Sequence, residues 1–157
     1  MSNTACKLFS ILILFAGIAG AAAPPLKKAP ELAFRLPAGQ DRLLSSHRGK
    51  VVSLEFIHTT CMRCQQASQI QNRLQQTYAG RGFQALDAAI NPNADLLVEN
   101  FVKDFHLNFP VAWTTPEQAL NFLGFSIVDL YVVPQIVIID RKGYIRAQTT
   151  PKGNDPS

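Results

Sequence analysis

The sequence predicts an α/β fold, a central mixed sheet flanked by helices. Strand-like and helix-like segments alternate through the middle of the chain and end in a hairpin. That order gives parallel central strands plus an antiparallel pair. Val51 to Ile57 is an almost unbroken apolar, β-branched run, as expected of a central strand covered on both faces. Cys61-Met62-Arg63-Cys64 follows that run closely and opens a helix-like stretch, which places two thiols at a strand-to-helix junction.

The elements can be justified in order. Residues 24–30, Pro-Pro-Leu-Lys-Lys-Ala-Pro, read as a linker, because proline removes donors and favours extended backbone. Glu31 to Leu36 predicts a short entry strand, and the polar stretch Ser45 to Lys50 a turn. After the Val51–Ile57 strand, Thr59 and Thr60 offer N-cap hydroxyls. A stripe through Ala67, Ile70, Leu74 and Tyr78 then predicts the buried face of a helix whose glutamines face water. Gly80 and Gly82 end it. Phe83 to Ile90 predicts the next strand, and Ala94 to Phe105 a helix with Leu97, Val98, Phe101, Val102 and Phe105 on one side. Phe109 to Val111 reads as a short strand. Thr115-Pro116-Glu117-Gln118 supplies an N-cap, a proline at the first helical position and a capping-box glutamine, with Gly124 as the stop. Gln135 to Ile139 predicts a buried strand, Asp140 to Gly143 a hairpin turn, and Tyr144 to Gln148 the returning strand.

A chain of 157 residues, 47% hydrophobic and 17% charged, fits one domain able to bury a core without staples. Its net charge of +4 is mild and dispersed, with no basic run interleaved with aromatics, which argues against a nucleic-acid partner. Lys7, the apolar segment Leu8 to Ile18 and Ala19-Gly20-Ala21 have the order of a secretory signal, with a cut expected after Ala21. The organisation expected is thus a signal peptide at 1–21, a linker at 22–30, one domain at 31–149 and a flexible tail at 150–157. The same apolar segment, left uncleaved, would anchor the chain. Either way the protein is expected outside the cytoplasm, where disulfides form and persist.

Removal of residues 1–21 would leave Cys61 and Cys64 as the only cysteines. So small a loop stabilises little by closure, so redox work explains the pair better than stapling does. Residues i and i+3 of a helix lie roughly 5–6 Å apart, within the Cα separation that a disulfide needs. The helix N-terminus favours a thiolate at Cys61. Arg63 adds a nearby cation, and Met62 suits an adaptable, substrate-facing contact. Glu55 stands alone in an apolar strand; if buried, its pKa rises and it can accept a proton near neutrality. Pro134 stands just before a buried strand, where an ordinary X-Pro bond would be trans. His47, His58 and His106 are scattered, and one cysteine pair with unspaced histidines does not make a zinc site.

With these residues in place, the chain resembles the TlpA/ResA-like branch of the thioredoxin superfamily, exported thiol–disulfide oxidoreductases, and the broader redoxin and AhpC/TSA group. The likeness spans about residues 29–148. It rests on Ala29 to Phe34, Arg48-Gly49-Lys50-Val51-Val52, Phe56, the Cys61-to-Cys64 motif, Val133-Pro134 before Gln135 to Asp140, and Ile139 to Gly143. The resemblance implies a thioredoxin-like fold, Cys61 as attacking thiol, Cys64 as resolving thiol, and Pro134 as the cis-proline facing the disulfide. Glu55, six residues before Cys61, matches the buried acid beneath the active site. Val133 would pair its backbone with substrate.

Some positions depart from the family pattern. Ile57 and Thr60 stand where aromatic residues are usual, and Met62-Arg63 contains no proline. The family's final helix has no counterpart after the hairpin, which leaves a truncated gene, a partner supplying cover, or an unstable domain. The peroxidatic pattern Pro-x-x-x-Thr-x-x-Cys is absent: counting back from Cys61 meets His58 and Ser53-Leu54, and from Cys64 meets Cys61 and Ile57. The expectation is therefore a cofactor-independent thiol–disulfide oxidoreductase. It would exchange with protein disulfides or dithiols and draw electrons from a membrane or soluble thiol donor. The alternatives are a non-catalytic binding module for a metal or partner protein, and a peroxiredoxin-like antioxidant.

Overall fold

The computed structural model describes residues 26–37 and 39–153. The expected signal peptide, the start of the linker and the last four residues lie outside them. Seven strands form one sheet in the order β2-β1-β5-β4-β3-β6-β7. They are β1 (Ala33–Arg35), β2 (Asp41–Leu43), β3 (Val51–Ile57), β4 (Phe83–Ala89), β5 (Val111–Trp113), β6 (Gln135–Ile139) and β7 (Ile145–Gln148). The central strands β3, β4 and β5 run parallel, and antiparallel pairs close both sides. Three α-helices are described: α1 (Met62–Tyr78), α2 (Ala94–Asp104) and α3 (Pro116–Leu123). The sheet is thus mixed and flanked by helices, as the alternation of elements predicts.

Two apolar layers hold the sheet. On one face Leu54, Phe56 and Val137 pack with Phe122 and Leu123 of α3. Phe56 and Phe122 stack with ring centroids 5.6 Å apart, a tilted arrangement that aromatic pairs prefer. On the other face Ile57, Ala85 and Ala89 meet Cys64 of α1 and Val98 and Phe101 of α2. Both α1 and α2 bridge parallel neighbours, so right-handed crossovers put them on the same side.

Several local expectations are met. β3 and β6 keep their bounds. α3 begins on a full capping box between Thr115 and Gln118 with Pro116 inside its first turn, and Gly124 ends it at φ +73°. Other expectations need correction. The entry strand is shorter than Glu31–Leu36 and pairs with β2, a three-residue strand that the charged run Asp41-Arg42 hides from a hydrophobicity reading. β5 starts at Val111, since Pro110 has no N–H to give a ladder. Within the stretch read as a linker, the N–H of Ala29 donates to Gly143 O, and Lys27 O accepts the N–H of Ile145, covering the edge beside β7. In the expected loose tail, Pro151 O accepts from the N–H of Val132 and the side-chain amide of Gln135.

The largest correction concerns α1. Its apolar stripe faces outward: Ile70 is 49% exposed, and Leu74 and Tyr78 are also exposed. Its buried residues are Cys64, Ser68 and Gln71. The reason is hydrogen bonding. Pairing between β4 and β5 begins only at Asp87, so the Ala85 N–H, which points the same way, has no strand opposite. The Gln75 carbonyl oxygen accepts it at 2.7 Å. The Gln71 amide donates to Ser53 O at 3.1 Å in the same layer. A buried main-chain group without a partner is costly, so glutamine belongs inside here. Gln75→Leu is therefore expected to destabilise the protein by about 1–3 kcal/mol, although it makes the helix more apolar. Ile70→Gln should change stability by no more than about 0.5 kcal/mol. Urea unfolding of the two variants checks this; equal effects would contradict the inverted polarity of α1.

Candidate active site

The site forms where the C-terminal end of β3, the start of α1 and the entry to β6 meet. The loop after β3 is pinned first. Asn91 Oδ1 accepts the N–H of Thr59, and the Asn91 amide donates back to the Thr59 hydroxyl. Thr59 is thus occupied away from the helix, and neither threonine caps α1. Cys61 is itself the N-cap: its Sγ accepts the N–H of Cys64 at 3.4 Å. A sulfur stands where a serine oxygen would usually satisfy the open first turn.

The two sulfurs lie in different surroundings. Cys61 is half-buried, and its Sγ lies 3.9 Å from Val133 O. Burial works against its thiolate. The Cys64 thiol, the N–H groups of Cys64 and Arg63 and the Arg63 charge outweigh that, so its pKa falls below the ordinary thiol value. Cys64 is fully buried. Burial first, then the Cys61 thiol and the charges of Cys61 and Glu55, push its pKa well up. One sulfur is set to be a thiolate and the other a thiol. Both are free cysteines in this structure.

The remaining sequence candidates surround this pair. Met62 is 71% exposed beside Cys61, and Arg63 is exposed. The Val133–Pro134 peptide bond is cis. Glu55 is 3% exposed on β3, and burial, then the neighbouring Asp87 charge, raise its pKa well above the ordinary value. Burial also lowers the pKa of His58, the residue after β3. Among the described residues no three His, Cys, Asp or Glu side chains converge as a metal ion would require.

The sequence reading missed three supporting residues. Asp87, fully buried on β4, is in register with Glu55. Burial raises its pKa to about 7 against the pull of the Ser68 hydroxyl. Its signal was the one that marked Glu55, a lone carboxylate in an apolar strand. Ser68 donates to Asp87 Oδ2 at 2.5 Å; in sequence it is one polar residue among the glutamines of α1. Gln135 is wholly buried behind Pro134. Its amide donates to Val132 O at 2.7 Å and to Pro151 O at 3.2 Å, and its carbonyl accepts the Thr149 hydroxyl. It fixes the segment that carries Val133, and only three-dimensional proximity reveals that.

This asymmetry gives a direct test. At pH 7 and limiting iodoacetamide, Cys61 should be alkylated at least tenfold faster than Cys64, with its alkylation midpoint below that of a free cysteine. Arg63→Ala should move the midpoint up. Peptide mapping by mass spectrometry reads both results, and equal labelling of the two sulfurs would contradict the geometry.

The chain is similar to known proteins in sequence and in fold. The AhpC/TSA family model matches residues 25–148. The chain is 30% identical over 119 residues to the thiol-disulfide oxidoreductase ResA of Geobacillus thermodenitrificans, covering 75% of this chain and 64% of that protein. It is 31% identical over 121 residues to ResA of Bacillus thuringiensis subsp. konkukian, covering 76% and 65%. The chain therefore spans a little under two thirds of the length of these relatives. A crystal structure of a thiol:disulfide interchange protein of the thioredoxin family from Chlorobium tepidum superposes with a TM-score of 0.71 at 26% identity, covering 84% of this chain and 91% of that one. On its sequence match and its thioredoxin-like sheet, the chain belongs to the AhpC/TSA family.

Proposed function

We propose that this protein is a thiol–disulfide oxidoreductase that exchanges the Cys61–Cys64 dithiol and disulfide with protein substrates outside the cytoplasm. The observation that carries the reading is the pairing of a half-buried, thiolate-favouring Cys61 at the N-cap of α1 with a buried Cys64 thiol in its first turn. The likeness to ResA proteins supports the same chemistry.

In the reducing direction the Cys61 thiolate attacks a substrate disulfide. A Cys61–substrate disulfide forms, and the first substrate sulfur leaves as a thiolate. Cys64 then loses its proton and attacks Cys61 Sγ. The second substrate sulfur leaves, and the protein holds the Cys61–Cys64 disulfide. Two electrons pass to the substrate, and a thiol donor, membrane-bound or soluble, restores the dithiol. The oxidising direction is the reverse. Glu55, beneath Cys64, takes up and returns the proton of the resolving thiol. Val133 O, beside Cys61 Sγ, and the cis-Pro134 segment align an extended substrate backbone, in the manner of strand addition. Met62 offers a flexible apolar contact next to the scissile bond.

The segment leading to Val133 exposes Ile127, Val128, Leu130 and Val132, with Leu130 93% exposed. Such a surface suits cysteines flanked by apolar residues in unfolded or extended chains. The apolar segment Leu8 to Ile18 and the small residues after it support export.

A redox titration against dithiothreitol or glutathione tests the proposal. The cysteines should behave as one two-electron couple; a potential near about −120 mV would mark an oxidant and one near about −270 mV a reductant. Cys64→Ala should accumulate a mixed disulfide with a model disulfide substrate, and Cys61→Ala should abolish the reaction. Thiols that stay free after gentle oxidation, with no mixed disulfide in the Cys64→Ala variant, would sink the reading.

A further inference from the structure

Two acids sit side by side in the core beneath Cys64. Glu55 on β3 and Asp87 on β4 are direct partners in the parallel ladder. Adjacent strands lie about 4.8 Å apart, and residues in register point to the same face. Glu55 is 3% exposed and Asp87 not at all. One side-chain oxygen of each, Glu55 Oε2 and Asp87 Oδ1, has no hydrogen-bond partner. The other Asp87 oxygen accepts the Ser68 hydroxyl.

Among the described residues no cation pairs with either acid. α1 turns Cys64 and Ser68 inward, and α2 turns Val98 and Phe101. β5 places Val111 opposite Asp87, and β6 places Ile136 opposite Glu55. Two buried anions in contact, with no compensating charge, are not stable. Two acceptor oxygens that both lack a donor are satisfied together when a single proton lies between them.

We propose that Glu55 and Asp87 form a carboxyl–carboxylate pair holding one proton in common, with Ser68 settling the negative charge on Asp87 and leaving the proton on Glu55. Ser68 lies one turn after Cys64 on the buried face of α1, so the pair sits directly under the resolving thiol. Asp87 acts through Glu55: its charge keeps the Glu55 carboxyl protonated at neutral pH. The pair then presents one negative charge to Cys64 and retains one basic oxygen. When Cys64 gives up its proton to attack Cys61, Glu55 takes it on its other oxygen while the shared proton passes to Asp87 Oδ1, and the pair becomes neutral. This last role rests on the redox function proposed above; the shared proton does not.

Both aspects can be measured. Carboxyl-carbon NMR should show, in the reduced protein at pH 8, one carboxyl still protonated and assigned to Glu55, and one ionised. Asp87→Asn should lower the Glu55 midpoint by about one pH unit or more, a tenfold loss of proton affinity. Stability gives a second readout. The native state keeps protons that the unfolded chain has released, so stability should fall as pH rises from the ordinary carboxylate range through about 7. Asp87→Asn should flatten that fall, which a merely structural change would not do. For the link to Cys64, the pH at which the disulfide potential changes slope should move to the acid side in Asp87→Asn, following the Glu55 midpoint. Should that variant not fold, the wild-type carboxyl titration decides alone. Two ionised carboxylates at pH 8, or a Glu55 midpoint unmoved by Asp87→Asn, would overturn the shared proton. A shared proton with no effect on the potential would overturn only its role at Cys64, and absence of any disulfide couple would count against the redox function instead.

Discussion

A strand paired on both sides cannot slip, because a shift of one residue would turn every side chain to the opposite face. β3 is such a strand. It is matched to β4 along all seven residues and to β6 along five. Its register fixes three things at once. Glu55 is held in the layer beneath α1, opposite Asp87 on one side and Ile136 on the other. The chain leaves β3 toward Cys61 at a set point. β6, antiparallel to β3, brings Val133 and Pro134 to the same end of the sheet from the opposite direction. The meeting of Cys61 Sγ with Val133 O is therefore a consequence of strand pairing between segments more than seventy residues apart in the chain.

α1 has to serve two masters at that junction, and its sequence shows it. Its N-terminus must leave Cys61 in contact with solvent, while its inner face must close over a sheet that still has main-chain groups to satisfy. Gln65 donates to Thr59 O, Gln71 to Ser53 O, and Gln75 accepts from Ala85. A hydroxyl, Ser68, fills the step where the partner is a carboxylate. The apolar residues Ile70, Leu74 and Tyr78 are displaced outward as a result. The helix is thus anchored by polar bonds into the sheet more than by an apolar stripe, which is unusual for a helix over a sheet.

That arrangement also explains what was legible in the sequence. The strands β3, β4 and β6 and the capped helix α3 could be read because their signals are local: apolar runs, a capping box, a turn with glycine. The Cys61–Cys64 motif could be read because its spacing carries its chemistry. The inner face of α1 could not, because its glutamines are explained only by an N–H on β4 whose strand partner starts two residues later. The cap of α1 was misplaced for a similar reason, since Thr59 is claimed by Asn91 from another loop. Gln135 carries no sequence signal, as its partners Val132, Thr149 and Pro151 meet only in three dimensions. Asp87 lies between these cases. Its oddness in an apolar strand was visible, but its meaning depends on the register with Glu55.

The acid pair completes a division of charge with depth. At the surface, helix-start N–H groups and Arg63 favour a negative Cys61. One layer down, burial and the neighbouring Cys61 sulfur favour a neutral Cys64. Two negative sulfurs would repel each other and the acids below; two neutral ones would leave no nucleophile. The dithiol instead carries its charge on the more exposed sulfur. In the exchange proposed above, resolution requires the reverse, a negative Cys64, and that is costly in a buried site unless its proton has a close destination. A lone carboxylate beside a cation would be a poor acceptor, because the cation lowers its proton affinity. A carboxylate beside a second acid is a better one, because uptake of the proton relieves the repulsion that raised its affinity. The absence of any ion-pair partner for Glu55 and Asp87 among the described residues, which would be a defect in a core built for stability alone, is what suits the pair to this step.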